Sequence, residues 1–194
     1  TLKEMRLGRA YSKYGSVIFS HATRKDVRNF YDLKGKSFMG VSEDSLGGWR
    51  MAWRELKEQG IDPVKDFRSL YFGETHDSVV YAVRDGVVDA GTVRTNTLEE
   101  MSAEGKIDLN DFFVFPRLHD VGEKTPYLCT TREYPDWPMA KVKGTSDELA
   151  EKVAIALLQM SPDSPAALAA GCAGWTIPLN YQPVLELMMS LHLG

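Results

Sequence analysis

The stretch FMGVSEDSLGG (38–48), together with RSLYFGETH (68–76) and DAGTVRTN (89–96), decides the fold of this chain. These segments predict strands at 37–41, 68–72 and 89–93, with a helix between each successive pair. Every strand is followed by a small or polar turn that opens the next helix. Strands and helices that alternate in this way are typical of a parallel α/β sheet.

The three turns form a candidate binding site. In a parallel α/β sheet they lie along one edge, outside the carboxyl ends of the strands, where such sheets bind ligands. Ser45, Thr75 and Thr95 bring hydroxyl groups, and each helix start brings unpaired N–H groups that suit an anion. Arg94 adds a fixed positive charge and His76 a titratable one. The pattern predicts a site for an oxyanion-like or carboxylate-bearing small ligand.

Each of these residues also has a purely structural interpretation. Ser45, Thr75 and Thr95 are residue types that commonly cap helices. His76 could be a satisfied surface histidine, and Arg94 could pair with a glutamate of the helix that follows it. Taken singly, the structural interpretation is favoured for the hydroxyl residues. Three of them on one edge, beside a histidine and an arginine, favour a binding site.

Length, composition and charge exclude several classes of protein. The 194 residues can form one large domain or two small lobes, and the content of 43% hydrophobic and 26% charged residues is ordinary for a globular protein. The net charge of −4 provides no overall positive field that would attract nucleic acid. No apolar run reaches the roughly 18–20 residues that span a bilayer.

The reactive residue types give no sign of an enzyme. Cys129 and Cys172 lie far apart and fit no metal-binding spacing, and two buried free thiols are favoured over a disulfide. No base stands near either cysteine in the sequence, so neither is predicted to be a nucleophile. The chain also lacks a nucleotide-type glycine loop and a cluster of metal ligands. We therefore predict no catalytic residue, metal or cofactor.

The rest of the chain predicts the surrounding elements. Residues 1–14 are predicted to be an irregular lead-in, and residues 26–33 a short helix. Strands are predicted at 16–20, 112–115 and 127–130, and a loop at 116–125. An amphipathic helix over 46–59 buries Trp49 and Trp53. Capping boxes mark helix starts at Thr97 with Glu100 and at Thr145 with Glu148; apolar helices follow toward the C-terminus.

An ordered set of motifs runs along nearly the whole chain. It comprises DLKGK (32–36), SLGG (45–48), THD (75–77), DGVVDAG (85–91), YPDWP (134–138), GWTIP (174–178) and YQPV (181–184). The first four, in this order, resemble the phosphonate/phosphite-type periplasmic binding proteins, a branch of the type 2 solute-binding fold. The last three resemble the extracytoplasmic sensor domains of tetrathionate-sensor-like histidine kinases.

The resemblance implies two α/β lobes joined by crossing strands, with the ligand clamped between them. Ser45 matches the turn that binds the anionic group, and His76 matches a ligand-contacting histidine. Leu46 and Gly47 depart from the hydroxyl residues often found there, which argues against a phosphonate. An arginine at Arg94 favours a multi-oxygen or carboxylate anion through paired N–H contacts. The ligand-binding residues implied are Ser45, Leu46, Gly47, Thr75, His76, Arg94 and Thr95.

The resemblance also implies that one lobe is incomplete. The family has a first βαβ segment ahead of the crossing strand at 16–20, and this chain begins too late to contain it. We expect a complete α/β lobe over 22–117, and a partial second lobe with crossing segments from 1–21 and 118–194. We expect either a shortened chain or one that completes itself as a homodimer, and either would expose apolar sheet surface.

Three functions remain open on the sequence alone. The tail motifs favour a periplasmic sensor domain of a membrane histidine kinase, held in the membrane by segments outside this chain and signalling by ligand-induced lobe closure. A solute-binding protein that delivers phosphonate-like anions to an ABC transporter is the alternative within the same binding class. A cytosolic effector domain of a transcription regulator, or an enzyme, could use the same fold. The expected partner is a small anion rather than nucleic acid.

Overall fold

The computed structural model of this chain describes residues 1–6, 8–118 and 127–193. The strands are β1 (Leu2–Arg6), β2 (Arg9–Tyr11), β3 (Lys13–Tyr14), β4 (Ser16–His21), β5 (Ser37–Gly40), β6 (Ser69–Phe72), β7 (Ala90–Arg94), β8 (Phe112–Val114), β9 (Tyr134–Pro135) and β10 (Cys172–Trp175). The α-helices are α1 (Met51–Glu58), α2 (Pro63–Asp66), α3 (His76–Arg84), α4 (Thr97–Ala103), α5 (Asp147–Leu158), α6 (Pro165–Ala169) and α7 (Gln182–Ser190). Short 3₁₀ turns cover Phe30–Leu33 and Leu109–Asp111, and a π-helical turn covers Leu46–Arg50.

The chain divides into two compact units. The larger unit comprises residues 15–133 and 186–194, and the smaller unit comprises residues 1–14 and 134–185. The boundary near residue 185 falls inside α7. Within the described ranges, no helix is long and apolar enough to cross a membrane.

The larger unit is built on a five-stranded sheet with the order β6-β5-β7-β4-β8. Strands β6, β5 and β7 are parallel, as predicted, and β4 runs antiparallel to both β7 and β8. The turns that follow the three parallel strands therefore share one edge of the sheet, which we call the carboxyl edge. The start of β4 reaches the same edge, because Ser16 is paired with Arg94.

Apolar side chains fill both faces of this sheet. Along β4, Val17 and Phe19 join one buried cluster and Ile18 joins the other, as the two-residue period of a strand requires. Trp49 is buried and stacks on Trp53 at 5.8 Å between ring centroids, which confirms the prediction that both tryptophans pack in the core. The helices on both faces hold the parallel strands, and hence the carboxyl edge, in place.

The smaller unit contains strands that the sequence did not predict. The antiparallel strand β1 lies between β10 and β2, and β3 pairs with β9. The prediction of an irregular lead-in over 1–14 is therefore wrong. The segment is short, charged and largely half-exposed, so its own apolar pattern does not reveal the local pairing of β1 with β2 or the pairing of β1 and β3 with strands more than a hundred residues away.

Several predicted boundaries also need correction. Asn96, not Thr97, precedes α4, and Ser146 caps α5 through a bond from the Leu149 N–H at 3.2 Å, so both predicted capping boxes are wrong. Residues 127–130 form no strand. Their place against β4 is held instead by Thr130, whose N–H donates to the Ser16 carbonyl at 2.9 Å. The predicted helix over 26–33 is reduced to a 3₁₀ turn, and 119–125 of the predicted loop lie outside the described residues.

The two cysteines are free and buried, as predicted. Burial raises the pKa of the Cys129 thiol to about 12, so this thiol stays protonated at neutral pH. The Cys129 Sγ donates to the Thr131 carbonyl at 3.2 Å, which satisfies it inside the larger unit. A thiol in this state is a packing group and not a nucleophile.

Helix α5 in the smaller unit buries none of its residues. Leu149 is 54% exposed, Ile155 48% and Leu158 51%. One side of the helix borders an open groove of about 410 Å³, which Val142, Trp175 and other mainly apolar residues also line. An apolar helix in water is unusual for a complete domain, and it matches the expectation of an incomplete lobe.

Candidate anion-binding site

Backbone hydrogen bonds join the three turns of the carboxyl edge. The Glu74 N–H donates to the Val41 carbonyl at 2.8 Å, which connects the turn after β6 to the turn after β5. The Arg94 N–H donates to His76 Nδ1 at 3.3 Å, which connects the turn after β7 to the start of α3. The structure thus brings His76 and Arg94 into contact, although they are separated by 18 positions.

The contact with Arg94 determines the hydrogen position on His76. Because Nδ1 accepts a hydrogen bond, the neutral ring carries its hydrogen on Nε2. Burial is the main cause that lowers the pKa of His76, and the nearby Arg94 charge lowers it further. At neutral pH the imidazole is therefore uncharged and offers its Nε2–H as a donor.

The turn after β5 leads into the π-helical turn Leu46–Arg50. The Ser45 Oγ accepts a bond from the Gly48 N–H at 3.1 Å, and the Arg50 N–H donates five residues back to the Ser45 carbonyl at 3.0 Å. The N–H groups of Leu46 and Gly47 come before the first helical bond and are of the kind that a helix start leaves for a ligand. The sequence pattern did not predict that the helix over 46–59 opens in a π turn.

The two glycines of this turn have different roles, and only Gly48 is shown to require the absence of a side chain. The buried Gly47 carbonyl accepts a bond from the Ser16 Oγ at 2.6 Å, which ties the turn to β4. A Cβ on Gly48 would lie 2.5 Å from Val41 Cγ2 and 2.6 Å from the Ser45 Oγ. A larger residue at Gly48 would therefore displace the cap, so the sequence SLGG is required for close packing as well as for any ligand.

The threonines play different parts. Thr75 Oγ1 caps α3 by accepting from the Ser78 N–H at 3.1 Å, and it remains exposed. Thr95 is buried and makes two bonds with Gly15: its N–H donates to the Gly15 carbonyl at 3.0 Å, and its Oγ1 accepts from the Gly15 N–H at 3.3 Å. Thr95 thus fastens the carboxyl edge to the start of β4, and it is not a helix cap.

Three residues near the site were missed by sequence reasoning. They are Ser16, Thr92 and Asn96. Asn96 has a left-handed backbone (φ 74°) and its buried amide nitrogen has no hydrogen-bond partner among the described residues, and the same holds for the Thr92 hydroxyl. Asparagine tolerates a left-handed backbone better than most residue types. An asparagine directly after Arg94 and Thr95 was therefore a sequence signal for a left-handed residue at this turn.

Two aspartates at this edge, Asp44 and Asp77, have partners close by in the fold. Asp44 accepts from the Ser42 hydroxyl at 2.7 Å, and this bond is the main cause that lowers the pKa of Asp44. Asp77 pairs with Lys106 at 3.2 Å. Hydrogen bonds to Glu104 and Asp77 raise the pKa of Lys106 above its ordinary value.

Parallel α/β sheets bind ligands at a carboxyl edge of this kind. The sequence profile described as ABC transporter, phosphonate, periplasmic substrate-binding protein matches residues 5–180. The chain therefore belongs to the phosphonate-binding family of periplasmic substrate-binding proteins, which confirms the family resemblance drawn from the motifs. Its fold is the type 2 periplasmic-binding-protein fold with one lobe incomplete.

Among curated proteins, the chain is similar to the tetrathionate sensor histidine kinase TtrS of Salmonella typhimurium. The two are 32% identical over 197 residues, which cover 99% of this chain. The chain spans about a third of the kinase, since the match covers 31% of it. The similarity therefore concerns one region of a much longer protein.

Among solved structures, the methylphosphonate complex of PhnD1 from Prochlorococcus marinus matches with a TM-score of 0.68 and 16% identity, over 93% of this chain and 68% of that one. A binding protein component of an ABC phosphonate transporter from Pseudomonas aeruginosa gives a TM-score of 0.68 and 16% identity, over 99% of this chain and 62% of that one. At this identity the matches show the fold alone. The partial coverage of those chains agrees with the exposed helix α5.

Proposed function

We propose that this chain is the extracytoplasmic sensor domain of a membrane histidine kinase, and that it binds a small sulfur oxyanion at the carboxyl edge. The observation that carries the proposal is the bond from the Arg94 backbone N–H to His76 Nδ1, which leaves the neutral imidazole with a free donor on Nε2. The Arg94 charge lies near enough to lower the pKa of this imidazole, so a fixed cation and a neutral donor share the edge. The 32% identity to a tetrathionate sensor kinase over 99% of the chain supports both the sensor role and tetrathionate as the first candidate.

The donor set favours a fully ionised oxyanion over a phosphonate. Arg94, the His76 Nε2–H and the N–H groups of Leu46 and Gly47 are all donors. A phosphonate near neutral pH keeps a proton on part of its population and then needs an acceptor, whereas a sulfonate-type oxygen only accepts. Leu46 and Gly47 also bring no hydroxyl that could serve as that acceptor.

Calorimetry and thermal unfolding with tetrathionate, sulfate, methylphosphonate and acetate test the proposal. A ligand at about a hundred times its dissociation constant should add roughly 2.7 kcal/mol to the free energy of unfolding. We expect tetrathionate to give the largest shift and Arg94→Ala to abolish it. Arg84→Ala, which removes a partly exposed arginine paired with Asp85 at the end of α3, is the matched control and should bind normally.

The outcome also separates the sensor from the transporter component. A preference for methylphosphonate over tetrathionate would favour a solute-binding protein of an ABC transporter, the role that the family description gives. An equal shift in wild type and Arg94→Ala would contradict the proposed site. A membrane-spanning segment and kinase domain after these residues in the full gene would decide for the sensor.

A further inference from the structure

We propose that Arg50 couples anion binding at the turn after β5 to the C-terminal end of α7, so that occupancy of the site is reported by residues 186–193. The inference rests on the proposed sensor function and adds the route by which the site is read. The site turn, Arg50 and residues 186–193 all belong to the larger unit.

Arg50 touches the site turn and α7 with one side chain. Its Nε donates to the Glu43 carbonyl at 3.1 Å, inside the turn that leads to Ser45. Its Nη1 lies 3.6 Å from the Met188 Sδ. A guanidinium is planar and rigid, so a shift of the Glu43 carbonyl changes the position of the group that contacts Met188.

Arg50 is also the last residue of the π-helical turn whose first N–H groups are proposed to bind the anion. Leu46 and Arg50 are the two ends of the same π-helical turn, and π turns are frequent at functional sites because their extra residue can be rearranged. Ser16 holds the Gly47 carbonyl at 2.6 Å, which fixes the middle of the turn to β4. An anion drawn to the Leu46 N–H therefore reorients the turn about this fixed point, and Arg50 lies at the far end.

The end of α7 is packed into the larger unit and closed by backbone bonds. Leu187 and Leu191 are buried, and Lys57 of α1 donates to the Ser190 carbonyl at 2.9 Å. The helix closes with two bonds typical of a Schellman motif. They run from the Leu193 N–H to the Met188 carbonyl at 2.8 Å and from the His192 N–H to the Met189 carbonyl at 3.0 Å.

Arg50 and Lys57 both join α7 to the helical segment that follows β5, but they differ in their relation to the site. Arg50 contacts both the site turn and Met188, whereas Lys57 lies further along α1 and contacts Ser190. This difference provides a matched pair of variants. Arg50→Met removes the connection to the site turn and leaves an apolar contact with Met188, and Lys57→Met loosens α7 without touching the turn.

Hydrogen exchange with mass spectrometry tests the proposal on the protein with its natural flanking sequence, with and without saturating tetrathionate. In wild type, tetrathionate should slow exchange over 42–50 and change exchange over 186–193. Arg50→Met should bind within about tenfold of wild type, a difference of about 1.4 kcal/mol, and lose the change over 186–193. Lys57→Met should exchange faster over 186–193 without ligand but keep the ligand-dependent change.

The possible failures are distinguishable. Calorimetry that finds no tetrathionate binding to wild type overturns the proposed ligand, and this inference with it. Binding to wild type with no change over 186–193 overturns the inference alone. The inference is likewise overturned if Arg50→Met keeps the full ligand-dependent change, because the coupling would then run through other contacts.

Discussion

His76 is the residue whose protonation most directly affects the site. Its pKa lies below the ordinary value of 6.5, because burial and Arg94 both disfavour the charged ring. The unfolded chain therefore takes up a proton before the native state does as the pH falls below 6.5. The stability that His76 contributes is complete above that pH and is lost as the pH falls toward the native pKa.

We predict that His76→Gln flattens the pH dependence of stability. Urea unfolding of wild type from about pH 8 to about pH 5 should show a decline that the variant shows to a smaller extent. Glutamine keeps a side-chain acceptor for the Arg94 N–H, so the variant should fold. Identical pH profiles would show that His76 is not the titrating group in this window.

Gly48 is a second position, where one added methyl group should change both the stability of the fold and the binding of the anion. Gly48→Ala places a methyl group 2.5 Å from Val41 Cγ2, and we expect a loss of about 1–3 kcal/mol in unfolding free energy together with weaker tetrathionate binding. Gly35→Ala is the control: its left-handed backbone (φ +73°) suits glycine and would strain an alanine, but nothing lies within 4 Å of the new methyl. Calorimetry should find normal binding in Gly35→Ala, and normal binding in Gly48→Ala would contradict the packing argument.

At this scale, the sequence revealed which residue types stand in the turns but not how they are used. Arg94 and His76 could be placed on one edge, because a parallel sheet requires it. The bond from the Arg94 N–H to His76 Nδ1 depends on how the two turns fold, which no local pattern encodes. The same holds for Thr95, whose bonds with Gly15 join residues 80 positions apart.

Among the elements, α1 contributes to a buried ion pair that stabilises the larger unit. Glu55 is fully buried, and it accepts from the Arg132 N–H at 3.0 Å, from Nε at 2.8 Å and from Nη2 at 3.3 Å. The pair fastens the segment that follows residue 127 to α1, within the larger unit. A buried carboxylate that loses its guanidinium stays desolvated, and the remaining hydrogen bond from the backbone N–H of residue 132 replaces the lost charge only in part.

We predict that Arg132→Met lowers the free energy of unfolding by about 3–5 kcal/mol, measured by urea denaturation. The double variant Glu55→Met/Arg132→Met should recover part of this loss, because the buried charge is removed with its partner. Lys152→Met breaks an exposed pair with Glu148 on α5 and should have no measurable effect. A loss in the double variant as large as in the single one would mean that packing, not the charge, is responsible.

Elements with strong periodicity were predictable, and elements that depend on distant partners were not. Strands β5, β6 and β7 are apolar segments bounded by polar turns, and their predicted places are close to the observed ones. Strands β1 and β2 are charged and short, and the sheet that they form with β10 could not be inferred locally. The helix starts were displaced by one residue because two adjacent residues could each serve as the cap.

At the scale of the whole molecule, the exposed helix α5 follows from the incomplete lobe. The chain covers 68% and 62% of the two solved substrate-binding proteins it resembles, and Leu149 and Val153 on α5 remain 54% and 40% exposed. The resemblance to the family predicted an incomplete lobe, and the partial coverage of the two solved structures agrees with it. The motifs could not indicate which helix would be left exposed, because that depends on how α5 packs.

The final prediction concerns the exposed face of α5. Leu149→Lys combined with Val153→Glu should leave the stability of the 194-residue chain within about 0.5 kcal/mol of wild type, because neither side chain is buried in it. In the longest natural gene product, the same pair should destabilise by several times that amount if sequence outside these 194 residues covers α5. Leu187→Ala, in a fully buried position, should cost about 2–5 kcal/mol in both forms.

Binding of a fluorescent apolar dye distinguishes what covers the helix. If sequence outside these 194 residues is the cover, dye fluorescence should be lower in the longest natural gene product and should not depend on protein concentration. If a second copy is the cover, fluorescence of the 194-residue chain should fall as its concentration rises, and Leu149→Lys/Val153→Glu should keep it monomeric in sedimentation. A large loss of stability from this double change in the 194-residue monomer would contradict both alternatives, because α5 would then already be packed.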